Sequence, residues 1–166
     1  MDVTVVFEYR AQELRACGLD VEGLCAFAAT REGRPPETEM SVTFVTDERM
    51  RKLNADWRGI DAPTDVLSFE CDNADDGFPH AAEPVYELGD IVIAPDVCER
   101  QAKVYGLTWI DEMSLLLVHG VLHLCGWDHQ SDAEAHAMEE RERELLSAFY
   151  GRSFKREGRI DSARGQ

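Results

Sequence analysis

The chain has 166 residues, 44% of them hydrophobic and 30% charged, and a net charge of −16. That length and balance suit one soluble domain with a core of its own. The acidity argues against a non-specific nucleic-acid binder, and no apolar run approaches the ~20 residues of a membrane span. Five scattered cysteines without a C-x-x-C pair argue for free thiols in a reducing compartment. Residues 1–16 alternate apolar and charged side chains and lack a signal-peptide core, so a cytoplasmic location is expected.

Val3–Glu8 alternates and predicts a strand, with Val3, Val5 and Phe7 on one face. Asp20 is placed to cap a helix through Thr30, whose apolar positions include Val21, Leu24, Cys25, Phe27 and Ala28. Gly33-Arg34-Pro35-Pro36 breaks the chain before a second strand, Met40–Val45. Thr46 caps a helix to about Asp56, and Gly59 to Pro63 reads as a loop that contains Arg58 at its glycine boundary. Thr64–Phe69 is a third strand, residues 70–86 an acidic exposed loop, and Leu88–Ile93 a fourth strand. Pro95 opens a helix that Gly106 closes, and Thr108 caps a central helix to about Cys125. Ser131 with Glu134 forms a capping box for a last helix to about Phe149. The expectation is one α+β domain over residues 1–150: a four-stranded sheet packed with about five helices. Residues 151–166 are a basic, Gly- and Arg-rich tail, expected to be disordered and to contribute neither core packing nor a catalytic group.

The chemistry concentrates in residues 119–129, which hold His119, His123 and His129. On a helix the first two stand on one face, with Cβ atoms about 5–6 Å apart. Gly126 can end that helix in a left-handed turn and bring His129 round. Three neutral nitrogens with an open fourth position are the pattern of a catalytic zinc site, here one ion per chain on a buried central helix and the turn after it. The spacing is also that of the metzincin peptidases. Their glutamate base, however, follows the first histidine, and here that residue is Gly120.

The run His119-Gly-x-Leu-His-Leu-x-Gly-x-Asp-His129 resembles the signature of the YbeY family, bacterial zinc-dependent endoribonucleases of rRNA maturation. Leu53-Asn54, Trp57-Arg58-Gly59, Asp61, Pro63 through Phe69, and Leu88 through Ile93 resemble two further segments of that family. The resemblance covers about residues 40–150. It implies a four-stranded sheet with helices and zinc on His119, His123 and His129. It implies an arginine at Arg58 that matters for RNA cleavage. The substrate implied is an rRNA precursor, cut in single-stranded regions during 16S 3′-end maturation and ribosome quality control, with the ribosome or ribosomal proteins as partners.

Beside the resemblance, zinc can polarise a phosphoryl oxygen and lower the pKa of bound water from about 16 to about 7. Arg58 offers a planar fork to phosphate, or it pairs with Asp56 or Asp61 at the surface. Asp128 either orients a ligating histidine or shapes the turn, and Asp90 and Ser68 are candidates to line the cleft. Two other readings stand. A peptidase-like metal hydrolase would take its base from Asp128 or Asp90. A non-catalytic zinc module would need a fourth protein ligand.

Overall fold

Alternating side chains build a four-stranded sheet from β1 (Asp2–Phe7), β2 (Thr38–Phe44), β3 (Val66–Glu70) and β4 (Tyr86–Ile93). The computed structural model describes residues 1–71 and 85–154. The strand order is β1-β2-β4-β3, with β1, β2 and β4 parallel and β3 antiparallel on the edge. Val5, Val42 and Ile91 lie in one row across the sheet, and Phe7, Phe44 and Ile93 in the next. These rows face one side and form part of the larger core, where the Phe7 and Phe44 rings stack 5.5 Å apart. Leu67 and Val92, at the alternate positions, face the other side.

The helices are α1 (Ala11–Ala16), α2 (Val21–Arg31), α3 (Asp47–Arg58), α4 (Pro95–Tyr105), α5 (Trp109–Leu124) and α6 (Asp132–Tyr150). The expected helix starts hold: Asp20, Thr46, Thr108 and Ser131 each accept the backbone N–H three residues on. Helix α1 is the one not expected. It has a single buried residue, Leu14, and no side-chain cap. Its N-terminal residue Arg10 has a left-handed backbone, φ 54°, and bonds Glu13, Asp96 and Glu99 while lying over the Trp109 ring. Contacts to α4 and α5 therefore hold this turn, and no local pattern announces it.

α2, α5 and α6 pack on one face of the sheet around the larger core. α3 covers the other face, where Met50 meets Val45, Leu67, Val92, Ala94 and Val97. α5 is buried continuously from Glu112 to Leu122, so the histidine segment sits at the centre of the molecule. No helix among the described residues is long and apolar enough to cross a membrane. Of the segment 70–86 expected to be a loop, Glu70 ends β3 and Tyr86 begins β4, while residues 72–84, His80 among them, lie outside the described residues, as do tail residues 155–166.

The first part of the tail departs from expectation. Phe154 is 3% exposed and belongs to the larger core. Its backbone N–H donates to the Ser147 hydroxyl, and Arg152 pairs with Asp111 at 2.7 Å. Gly151 ends α6 in a left-handed conformation and turns the chain back so that the ring can dock. The lone aromatic among polar residues carried no periodicity by which to be read. Phe154→Ala should therefore lower stability by roughly 3 kcal/mol. Truncation after Tyr150 should lower the melting temperature similarly, as thermal denaturation followed by circular dichroism will measure.

Candidate metal centre

The site is assembled by the way α5 ends. Cys125 closes the helix, and Gly126 follows at φ 97°. Its N–H reaches the His123 carbonyl at 3.0 Å, and the Trp127 N–H reaches the Leu122 carbonyl at 3.0 Å. These are the paired bonds of a Schellman turn, which needs a residue able to adopt positive φ. The turn directs the Trp127 carbonyl back at His123, whose Nδ1 lies 2.9 Å away. The Trp127 indole N–H donates to Glu32, and Arg141 holds the other Glu32 oxygen at 2.9 Å. The turn is thus tied to both α2 and α6.

These contacts set the tautomers. A carbonyl oxygen only accepts, so His123 donates through Nδ1–H and its Nε2 carries the lone pair. His119 Nδ1 lies 3.1 Å from Glu142 Oε1, which fixes the same tautomer on that ring. Both groups are buried, His119 at 2% exposure and Glu142 at 1%. The two Nε2 atoms then face each other at 3.0 Å. His129 closes the triangle with a buried Nε2 that lacks a hydrogen-bond partner among the described residues. One ligand atom from each ring lies within 4.8 Å of the others. Metal–nitrogen bonds of about 2.0–2.1 Å would place the nitrogens of a tetrahedral site roughly 3.3 Å apart. Converging lone pairs and an orphaned buried nitrogen fit a cation held between the three rings. Burial first, and then the neighbouring His119 and His129 imidazoles, push the His123 pKa down to about 3. The ring therefore stays neutral and able to ligate down to acid pH.

Gly120 has a packing reason. A Cβ there would stand 2.9 Å from Ile91 Cδ1 and 3.1 Å from Ile91 Cγ2. α5 lies this close to β4 because position 120 has no side chain. That direction leads toward the sheet.

Comparison with known proteins bears on the same segments. The family model described as Endoribonuclease YbeY matches residues 8–150. The Endoribonuclease YbeY of Bacillus velezensis is 42% identical over 132 residues, covering 78% of this chain and 84% of that protein. That of Geobacillus thermodenitrificans is 38% identical over 152 residues, covering 90% of this chain and 97% of the relative. This chain belongs to the YbeY family. The solution structure of a Thermotoga maritima protein superposes with a TM-score of 0.59 at 24% identity, covering 90% of this chain and 89% of that one, and shares the fold.

The other residues singled out in the sequence stand on α3, on the sheet, in the turn after α5 and on α6. Arg58 is the last residue of α3, and the loop begins after it. The change follows from Gly59, which takes the left-handed cap position and lets the helix run two residues past the expected Asp56. Arg58 does not pair with Asp61, which Arg51 holds through two bonds of 2.7 and 2.9 Å. Its Nη1 meets Asn54 Oδ1 at 3.4 Å, and it forms no ion pair among the described residues. Asn54 is buried and donates to the Ala62 carbonyl at 2.8 Å, so one side chain steadies both Arg58 and the following loop. Ser68 faces α5, its hydroxyl 3.4 Å from the Gly120 carbonyl. Asp90 points the other way and accepts from Ser41. Asp128 Oδ1 accepts the His129 N–H at 2.7 Å and so shapes the turn. His136 is exposed on α6.

Sequence reasoning missed Glu142. It lies in the charged run Glu139 to Glu144, where one more acid attracts no notice. The signal is its position: Met138, Glu142, Leu145 and Leu146 are the buried stripe of α6. A carboxylate on an apolar stripe needs a buried partner, and His119 is that partner. Glu142→Gln should weaken metal binding by about 10- to 100-fold while the helix content is kept. Chelator competition on the purified variant measures this, and wild-type affinity would leave Glu142 a purely structural acid.

Proposed function

We propose that this chain is a zinc-dependent endoribonuclease, specific for single-stranded RNA, that acts in the cytoplasm on rRNA precursors. The proposed role is 16S rRNA 3′-end maturation and ribosome quality control, with the ribosome or its proteins as partners. The observation that carries it is the convergence of three lone-pair-bearing imidazoles, His119, His123 and His129, in a chain whose relatives are named endoribonucleases. When bound, zinc supplies Lewis-acid stabilisation of a phosphoryl oxygen and a bound water acidic enough to react near neutral pH. The chain's own residues do the remainder. Glu142 and the Trp127 carbonyl hold two rings in the ligating tautomer. Arg58, steadied by Asn54 and without an acidic partner among the described residues, is available to take a phosphate in its fork.

The rival readings lose support on geometry. A peptidase base at position 120 would enter the sheet. Asp90 faces away from α5, and Asp128 is engaged with the backbone of the turn. A closed structural site would need a fourth protein ligand, and the cluster among the described residues has three.

The purified protein should contain one zinc per chain and cleave single-stranded RNA. His123→Ala should lose both properties. Arg58→Ala should lose most of the cleavage with zinc content and melting temperature unchanged, and Arg58→Lys should recover only part, because an ammonium cannot offer the bidentate fork. Elemental analysis beside a cleavage assay decides the matter. Full zinc in the His123 variant would remove that residue from the ligand set, and full activity in the Arg58 variants would return Arg58 to a structural role.

A further inference from the structure

Trp57, at the end of α3, is a large apolar side chain left 70% exposed. Its ring meets Phe69 of β3 at 5.5 Å between centroids and 66° between planes. Phe69 in turn packs on the smaller core. The indole is therefore anchored at one side by a fixed ring and a helix end, and most of its surface remains in water. Ile60, 44% exposed, extends the apolar patch. Arg58, which follows Trp57, has no ion pair among the described residues. Arg49 and Lys52 are exposed on α3, likewise without a described ion pair, in a protein whose net charge is −16. An edge strand links this corner to the candidate metal centre. Phe69 holds Trp57 on one face of β3, while Ser68, its neighbour, holds the Gly120 carbonyl of α5 on the other.

We propose that Trp57 is a stacking platform for one unpaired base of the RNA substrate, with Arg58 on a phosphate of the same strand. This rests on the endoribonuclease reading and deepens it. Every base has a π face and indole is the largest aromatic surface available, so the contact tolerates any sequence. A base inside a duplex has both faces covered by its neighbours and cannot use the platform. Trp57 thereby contributes a preference for single strands. Arg58 next to the indole, with Arg49 and Lys52 further back on α3, favours a polyanion over a neutral apolar partner surface. Trp57 is a positioning residue: it holds the strand and takes no part in bond breaking.

The test compares Trp57→Phe, Trp57→Leu and Trp57→Ala in the zinc-loaded protein on a short single-stranded RNA. Phe keeps an aromatic face, whereas Leu keeps apolar bulk without one. KM should rise about 5- to 150-fold for Leu and Ala, from a stacking worth of ~1–3 kcal/mol per base, with kcat within about twofold. Phe should stay near wild type, and all three should melt near the wild-type temperature. Tryptophan fluorescence of the wild type should be quenched on mixing with the RNA. Trp57→Phe should lose the share of that quenching that Trp57 contributes, leaving only what Trp127, in the turn beside His123, reports. Wild-type KM in the Leu and Ala variants, or quenching in the Phe variant equal in amplitude to the wild type's, overturns the proposal and assigns the patch to a protein partner. Absence of RNA cleavage by the wild type would sink the endoribonuclease reading alone, and the quenching titration would then decide on Trp57 by itself.

Discussion

Helix α5 has to stop at Cys125 for three imidazoles to meet. One further turn of helix would carry residue 129 onward along the axis, away from His119. The positive φ of Gly126 reverses the chain within two residues and satisfies the exposed carbonyls of Leu122 and His123 in doing so. The same reversal aims the Trp127 carbonyl at His123 Nδ1. Backbone termination, ligand tautomer and recruitment of His129 therefore follow from one turn. Its outer side is clamped by the chain Trp127–Glu32–Arg141, which ties it to α2 and α6.

Burial gives this arrangement its chemical character and sets its cost. A carboxylate removed from water is expensive unless it is hydrogen-bonded and faces positive charge. Glu142 meets the first need through His119 Nδ1–H. A cation beyond the ring would meet the second, since an acid behind a ligating histidine raises the basicity of the ligand. The pair of Nε2 atoms at 3.0 Å is unfavourable for two neutral rings of the same tautomer, and a bound cation resolves that conflict. Two buried costs, the acid and the opposed lone pairs, are thus offset by one ion. Holding His123 neutral by burial serves the same end.

Much of this was legible in the residues. Strand alternation, the capping residues Thr46, Thr108 and Ser131, and the glycine after the second histidine are local signals, and each element formed where its signal stood. The features that were missed depend on distant partners. α1 is held by Arg10 through acids some ninety residues away in sequence. Glu142 acquires its meaning from His119, and Phe154 from the core that receives it. Arg58 lay one residue inside a boundary that Gly59 sets, which is within the ordinary fraying of helix ends. Its separation from Asp61 depended on Arg51 being the better placed cation, a matter of geometry across a loop.

The packing of α5 also bears on why this ligand spacing does not lead to peptidase chemistry. In the metzincin pattern the residue after the first histidine supplies the general base, so it must look toward the metal cleft. In this fold a Cβ at that position would crowd the Ile91 side chain of β4, at 2.9 to 3.2 Å. The sheet that buries the helix has taken the place where a base would stand. Neither candidate carboxylate among the described residues is placed to replace it: Asp90 is turned to the opposite face and Asp128 is engaged in the turn. What the chain offers elsewhere is a guanidinium without an acidic partner among the described residues, Arg58, at the end of a helix bearing Arg49, Arg51 and Lys52. Cationic groups suit a substrate that arrives with its own negative charge, and phosphate is better matched to such surroundings than a peptide bond. The close packing that favours glycine at position 120 thus works against a base there.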